Sequence, residues 1–211
     1  MRLRLGTRGS ALALRQSGLV AAELERRGHV VELVTIRTTG DVLTGSLVTA
    51  GGKGLFVKEI EEALLARSVD FAVHSLKDMP ATIPAGLALV ATPAREDARD
   101  VLVASVSATG VGGLAPGARV GTSSLRRRAQ LLARRPDVVP IPLRGNVDTR
   151  LRKLAQGEVD ALLVAAAGLH RLGLAPAGMT VLAAEEFVPA IGQGALALEA
   201  RAGSEIHQRG E

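Results

Sequence analysis

Val73-His74-Ser75-Leu76-Lys77-Asp78-Met79-Pro80 decides how the chain is read. Ahead of it, Val69 to Val73 alternates apolar and mixed positions in the manner of a buried strand. Pro80 has no N–H to give a ladder and biases Met79 away from helix, so the strand must stop and turn here. His74, Ser75, Lys77 and Asp78 then fall in a loop at the carboxyl end of a strand, where open α/β sheets hold their ligands. Taken alone, Asp78 reads as a turn former that bonds its own backbone; the rest of the chain argues otherwise.

Upstream, Arg2 to Gly6 reads as a first strand. Thr7-Arg8-Gly9-Ser10 turns it into a helix with Ser10 as N-cap and Gly28 at its close. Leu12, Gln16, Leu19 and Glu23-Leu24 track one face of that helix. Val30 to Thr38 is continuous enough in Val, Leu and Ile to predict a strand buried on both faces. Gly40 to Gly54 is a glycine-rich stretch of the length that functional loops have. Its Gly51-Gly52-Lys53-Gly54 is no phosphate loop, because Gly54 stands where Ser or Thr is needed. A helix is expected from Leu55 to Arg67, with Phe56, Ile60, Ala63 and Leu64 inward and Lys58, Glu59, Glu61 and Glu62 solvated.

Downstream, Leu87 to Ala91 gives a strand, and Thr92-Pro93-Ala94-Arg95-Glu96-Asp97 a polar crossing suited to a hinge. Asp100 to Ala104 opens a second set of elements. Ala118-Arg119-Val120 runs into Gly121-Thr122-Ser123-Ser124 and a helix, Leu125 to Arg135, repeating how the first strand ends. A second echo sets Ser68-Val69-Asp70 against Gly157-Glu158-Val159-Asp160. Between them lie a strand, Val138 to Leu143, and a helix, Val147 to Gln156, capped by Asn146. Ala161 to Ala167 reads as a buried strand, and Gly168 to Gly173 as a short helical turn. Phe187 to Gly194 is a second crossing, returning the chain as strand Ala195 to Glu199. Gly192-x-Gly194-x-x-Ala197 precedes a strand instead of following one, which excludes a dinucleotide fingerprint. The echoes predict an α/β chain of two similarly wound lobes, joined by two hinge crossings with a cleft between them. Residues 1–94 plus 194–211 form the lobe that carries Asp78, and 99–187 form the other.

The 211 residues are 47% apolar and 22% charged, with a formal charge of +5. Among 26 cations only Lys53, Lys58, Lys77 and Lys153 are lysines. Arginine forks match carboxylate and phosphate geometry, which suggests an anionic partner. A genome-wide preference for Arg would give the same count, so position decides. Arg8 lies in the first strand-to-helix turn, and Arg126, Arg127 and Arg128 open the helix after the second. Arg144 ends a strand, Arg150 sits one turn into the next helix, and Lys53 and Lys58 flank the glycine-rich stretch. Helix N-termini already carry free N–H donors and positive field, so arginines there build anion sites. Arg134 and Arg135 read as a solvated face. A ligand with several carboxylates or phosphates follows, with Asp78 the negative group available to proton chemistry or to a developing cation.

Aromatic content of 1%, with no Trp or Tyr, leaves almost nothing for bases to stack on. No cysteine is present, and His29, His74, His170 and His207 are scattered, so neither a disulfide nor a metal site is expected. The sequence shows no signal-peptide run and no uncharged membrane span. A cytoplasmic monomer that binds a small molecule, with no nucleic acid and no membrane, is the expectation.

Six motifs occur in order: Gly6-Thr7-Arg8-x-Ser10, Gly51-Gly52-Lys53-Gly54-Leu55-Phe56, His74-Ser75-Leu76-Lys77-Asp78-Met79-Pro80, Gly121-Thr122-Ser123-Ser124-Leu125-Arg126-Arg127, Leu143-Arg144-Gly145-Asn146-Val147-x-x-Arg150 and Gly192-Gln193-Gly194-Ala195. Together they resemble the porphobilinogen deaminase (hydroxymethylbilane synthase) family over nearly the whole chain. The resemblance implies two periplasmic-binding-protein-like (type II) lobes and a third, smaller domain. It implies head-to-tail condensation of four porphobilinogens, with ammonia lost at each step, on a dipyrromethane primer. Asp78 matches the family's catalytic aspartate, which handles pyrrole and amine protons and stabilises an azafulvene-like cation. Arg8, Ser10, Lys77, Ser124, Arg126, Arg127, Arg144, Arg150 and Arg171 match positions that hold cofactor and substrate carboxylates. Gln193 joins them as a further candidate, and Lys53 and Lys58 match a flexible active-site loop. The family attaches its primer through a thioether to a cysteine in the third domain, and this sequence has neither. A truncated form, inactive alone, is therefore expected; a non-catalytic polycarboxylate-binding module with the same fold is the alternative.

Overall fold

The computed structural model describes residues 1–39, 57–105, 108–204 and 206. The chain divides into two compact units, Met1–Arg95 with Ala195–Glu211, and Glu96–Gly194, passing between them twice. The expected site residue Lys53, with the rest of Gly40 to Phe56, lies outside the described residues.

The first unit holds β1 (Arg2–Arg8), α1 (Ala11–Arg26), β2 (Val30–Ile36), α2 (Lys58–Leu65), β3 (Phe71–Ser75), a 3-10 turn (Leu76–Asp78), β4 (Leu87–Ala91) and β10 (Leu196–Arg201). Its sheet runs β2-β1-β3-β10-β4, with β1 parallel to β2 and β3, and β10 antiparallel to β3 and β4. The second unit holds β5 (Asp100–Ala104), β6 (Arg119–Gly121), α3 (Leu125–Arg134), β7 (Val139–Ile141), α4 (Val147–Ala155), β8 (Ala161–Ala165), α5 (Ala166–Leu172) and β9 (Met179–Val181). Its order, β7-β6-β8-β5-β9, is the same arrangement again, with β6 parallel to β7 and β8, and β5 antiparallel to β8 and β9.

The repetition reaches individual atoms. Arg4 donates its backbone N–H and Nε to Asp70 Oδ2, at 2.8 and 3.2 Å, and Nη2 to Asp70 Oδ1 at 2.8 Å. Arg119 donates the same three groups to Asp160, at 2.7, 3.2 and 2.8 Å. Each Nη2 also reaches a backbone carbonyl just past a helix end, Arg67 in one unit and Gly157 in the other. Both carbonyl-bearing residues are left-handed, at φ 60° and 72°. These clamps lock the amino ends of the parallel strands and leave the carboxyl ends to the loops that carry the expected site.

Each sheet is covered on both faces. In the first unit Leu5, Val20, Phe71 and Val73 pack on one side and Ile60, Leu64, Val69 and Ala72 on the other. In the second, Leu102, Val120, Leu131 and Phe187 oppose Val101, Leu143, Leu162 and Leu169. No helix among the described residues is long and apolar enough to cross a membrane.

Four local expectations are corrected. β2 is an edge strand rather than one buried on both faces, with Val30 and Leu33 exposed, because apolar content does not reveal which strand has a single neighbour. α1 buries Gln16, Ser17, Val20 and Ala21, while Leu19 faces solvent. Its inner face is partly polar because Gln16 Nε2 donates to Ser75 Oγ at 3.0 Å and Ser17 Oγ to Thr7 Oγ1 at 2.8 Å. Glu61, expected in solvent, is only 9% exposed. The Ala161 to Ala167 strand ends at Ala165, where α5 begins.

Candidate functional site

In the first unit, β1 and β3 are parallel neighbours, so Arg8, at the end of β1, and Lys77 and Asp78, just after β3, share the carboxyl end of these central strands. Ser10 stands there too, as N-cap of α1, its Oγ accepting from the Ala13 N–H at 3.3 Å. The 3-10 turn that carries Lys77 and Asp78 is held at its start by the Leu76 N–H, which donates to the Ala195 carbonyl at 3.1 Å. The Asp78 carboxylate is exposed and makes no hydrogen bond or ion pair among the described residues. Lys58 stands apart: it projects from α2 toward solvent, with Nζ 3.9 Å from Glu62 Oε1.

In the second unit the carboxyl ends of parallel β6 and β7 carry the other cations. Ser124 caps α3, with Oγ accepting from the Arg127 N–H at 3.4 Å, so Arg126 and Arg127 lie in the helix's first turn. Arg144 follows β7, half-buried, with no hydrogen bond or ion pair among the described residues. Arg150, in the first turn of α4, donates Nε to the Gly145 carbonyl at 2.8 Å. Asn146 is the N-cap of α4 but makes no side-chain cap bond.

Arg127, Gln193 and Arg171 are engaged within the protein as well. Arg127 is buried and donates Nε and Nη2 to Asp100 Oδ1 at 3.0 and 2.7 Å, and Nη1 to the Leu163 carbonyl at 3.0 Å. Gln193 is buried as well, its Nε2 bonding the Ala98 carbonyl at 2.7 Å and Asp100 Oδ1 at 2.9 Å. Arg171, on the last turn of α5, donates Nη2 to the Gly194 carbonyl at 2.7 Å, beside the point where the chain leaves the unit. Burial pulls the Arg171 guanidinium below its ordinary value, against the Glu96 charge.

Asp100 is the functional candidate that the sequence did not reveal. It is fully buried at the start of β5, and Arg126 Nη1 lies 2.7 Å from its Oδ2. Burial alone would push this carboxyl up. The Arg127 charge, the hydrogen bonds from Arg127 and Gln193 and the adjoining Arg126 guanidinium together outweigh it and hold Asp100 below the ordinary carboxylate range. No sequence signal pairs it with arginines 26 and 27 positions away. A charged residue opening an apolar strand was the available hint.

A family model described as porphobilinogen deaminase, dipyromethane cofactor binding domain, matches residues 3–209. The chain belongs to this family. Porphobilinogen deaminases of Syntrophobacter fumaroxidans and Nitratidesulfovibrio vulgaris are 55% and 56% identical to it, over 94% and 93% of its length. It spans 65% and 64% of those two proteins. Among solved structures, a TRAP periplasmic solute binding protein from Desulfovibrio salexigens matches with a TM-score of 0.56 at 13% identity, covering 99% of this chain and 70% of that one. The L-cystine solute receptor of Neisseria gonorrhoeae matches with a TM-score of 0.55 at 16% identity, covering 99% and 83%. The chain thus has the periplasmic-binding-protein-like type II fold that its motifs implied, each unit built on one five-stranded mixed sheet.

Proposed function

We propose that the protein is a porphobilinogen deaminase (hydroxymethylbilane synthase), a transferase of haem biosynthesis, and that this chain supplies its cofactor- and substrate-binding lobes. Porphobilinogen carries two carboxylates and an aminomethyl group. Each condensation breaks the bond from that methylene to nitrogen, releases ammonia, and forms a carbon–carbon bond to the free pyrrole carbon of the growing chain, from which a proton is lost.

The observation that carries this reading is Asp78, exposed and unengaged among the described residues, at the carboxyl ends of parallel strands that also bring Arg8, Ser10 and Lys77 there. A carboxylate there stabilises positive charge on the substrate's methylene as the amine departs, then accepts the pyrrole proton. Such a group is worth about 10²–10⁴-fold in rate. Arg8, Lys77, Arg126, Arg144 and Arg150, with the capped helix ends at Ser10 and Ser124, hold the acetate and propionate groups.

The donor set fits the carboxylates of a dipyrromethane, since Arg144 and one edge of Arg126 have no partner among the described residues. It does not fit a thioether, because the chain has no cysteine. When bound, the primer supplies the nucleophilic pyrrole carbon for the first condensation. In this reading the chain is cytoplasmic and monomeric, and it is inactive alone.

The test joins this chain to the remaining third of the S. fumaroxidans protein and follows ammonia release from porphobilinogen. The fusion should turn over, and Asp78→Asn should lower kcat at least about 10²-fold with KM little changed. A silent fusion, or an unimpaired Asp78→Asn, overturns the reading. An intact-mass spectrum of the isolated chain should show no dipyrromethane adduct.

A further inference from the structure

Arg126 and Arg127 are sequence neighbours of identical chemistry, yet their surroundings differ. Arg127 uses every guanidinium nitrogen internally, on Asp100 and the Leu163 carbonyl, and its side chain is 8% exposed. Arg126 uses only Nη1, which donates to the Val188 carbonyl and lies 2.7 Å from Asp100 Oδ2 as an ion pair, and its side chain is 25% exposed. Its Nε and Nη2, the two donors along one side of the fork, have no partner among the described residues.

One carboxylate makes this difference. Asp100 is the N-terminal residue of β5, a strand flanked by β8 and β9, so its position is fixed by the sheet. Gln193 braces Oδ1. Consecutive residues on a helix point about 100° apart, so backbone geometry alone could not bring both arginines to one carboxylate without bending one of them back. Asp100 turns Arg127 inward, and by holding Arg126 at Nη1 it leaves the Nε–Nη2 side turned away. That side is the one that takes a carboxylate through two parallel hydrogen bonds. One negative and two positive charges leave a net positive charge for the ligand.

We infer that Asp100 is a positioning residue: it locks Arg127 as an internal cation and aims Arg126 as the guanidinium that meets a carboxylate-bearing ligand. That this ligand is a pyrrole dicarboxylate rests on the function proposed above; the asymmetry of the pair does not.

The experiment uses the 15N-labelled chain and the guanidinium Nε–H signals, assigned with Arg126→Gln and Arg127→Met. Propane-1,2,3-tricarboxylate and porphobilinogen are titrated separately. The Arg127 signal should exchange slowly with water and stay still, while the Arg126 signal exchanges fast and shifts with both probes. Arg126→Gln and Asp100→Asn should each weaken binding of tricarboxylate about tenfold. Their combination should be no worse than either alone, because Asp100 acts through Arg126. If Asp100→Asn does not fold, Asp100→Asn with Arg127→Met removes the buried charges together and should show the same loss. An Arg127 signal that moves with ligand, an Arg126 signal that moves with neither probe, or additive losses would overturn the inference. Movement with tricarboxylate but not with porphobilinogen would keep the inference and overturn the proposed function.

Discussion

Nε2 of His74 lies 3.1 Å from Oε2 of Glu199, and both side chains are sealed from solvent between β3 and β10. The pair sits in the two strands that meet directly behind the Asp78 turn. Leaving one partner buried without the other costs about 1–3 kcal/mol. His74→Leu and Glu199→Leu should therefore each lower stability by about that much, and the double variant by less than the sum. Urea unfolding followed by circular dichroism measures this, and strictly additive losses would show that the pair is not coupled.

Glu61 of α2 joins this cluster. Its carboxyl is held above the ordinary range, by burial first and the Glu199 charge second, with His74 pulling the other way. The folded chain therefore binds this proton more tightly than the unfolded one. The resulting stability is complete below about pH 4.3 and is lost as pH rises through the folded-state value. Glu61→Gln imitates the protonated acid. Its melting temperature should match wild type at about pH 4 and exceed it at about pH 8, where a lower value would refute the assignment.

The twin arginine clamps give a comparison within one molecule. Burial would raise Asp70, but hydrogen bonds from Arg4 outweigh it, and Asp160 is lowered chiefly by Arg119, so both carboxyls sit below their ordinary value. Each contributes stability that is present above about pH 3.9 and lost as pH falls through its folded value. Asp70 is the more enclosed, at 20% side-chain exposure against 42% for Asp160. Asp70→Asn should therefore lower the melting temperature at neutral pH more than Asp160→Asn, and both differences should shrink on acidification.

Gly194 has φ +87°, and a Cβ there would lie 2.3 Å from the Glu96 carbonyl oxygen. Gly194→Ala combines that clash with about 1–3 kcal/mol of backbone strain, where the Glu96 N–H and Arg171 both bond the Gly194 carbonyl. Gly117 also has positive φ, at +73°, but faces open space. Thermal unfolding should show the larger loss for Gly194→Ala, and equal losses would mean that the close approach carries no cost.

Much of the fold could be read locally. A strand that ends in Gly-Thr and runs into a serine cap was visible twice, at Gly6-Thr7 and Gly121-Thr122, as was Val-Asp ahead of a buried strand. Those signals lie within a few residues of the structure that they specify. The cap at Ser10 and the turn at Asp78 were legible for the same reason. Asp100, Glu61 and Glu199 were not, because each owes its burial to partners far along the chain. Periodicity assigns a charged side chain to solvent unless its counter-group is known. The inner face of α1 failed similarly: Gln16 and Ser17 face inward because Ser75 and Thr7 meet them there.

The position of β10 has a bearing on how the polypeptide matures as it leaves the ribosome. Residues 196–201 fill the slot between β3 and β4, so the first unit lacks its fourth sheet member until all of Glu96–Gly194 has been translated. Glu96–Gly194, by contrast, is contiguous and has all its strands as soon as it emerges. The usual amino-terminus-first order of assembly is inverted. The earlier-made half must wait with β3 and β4 unpaired along facing edges, which is when nascent chains are most exposed to wrong partners.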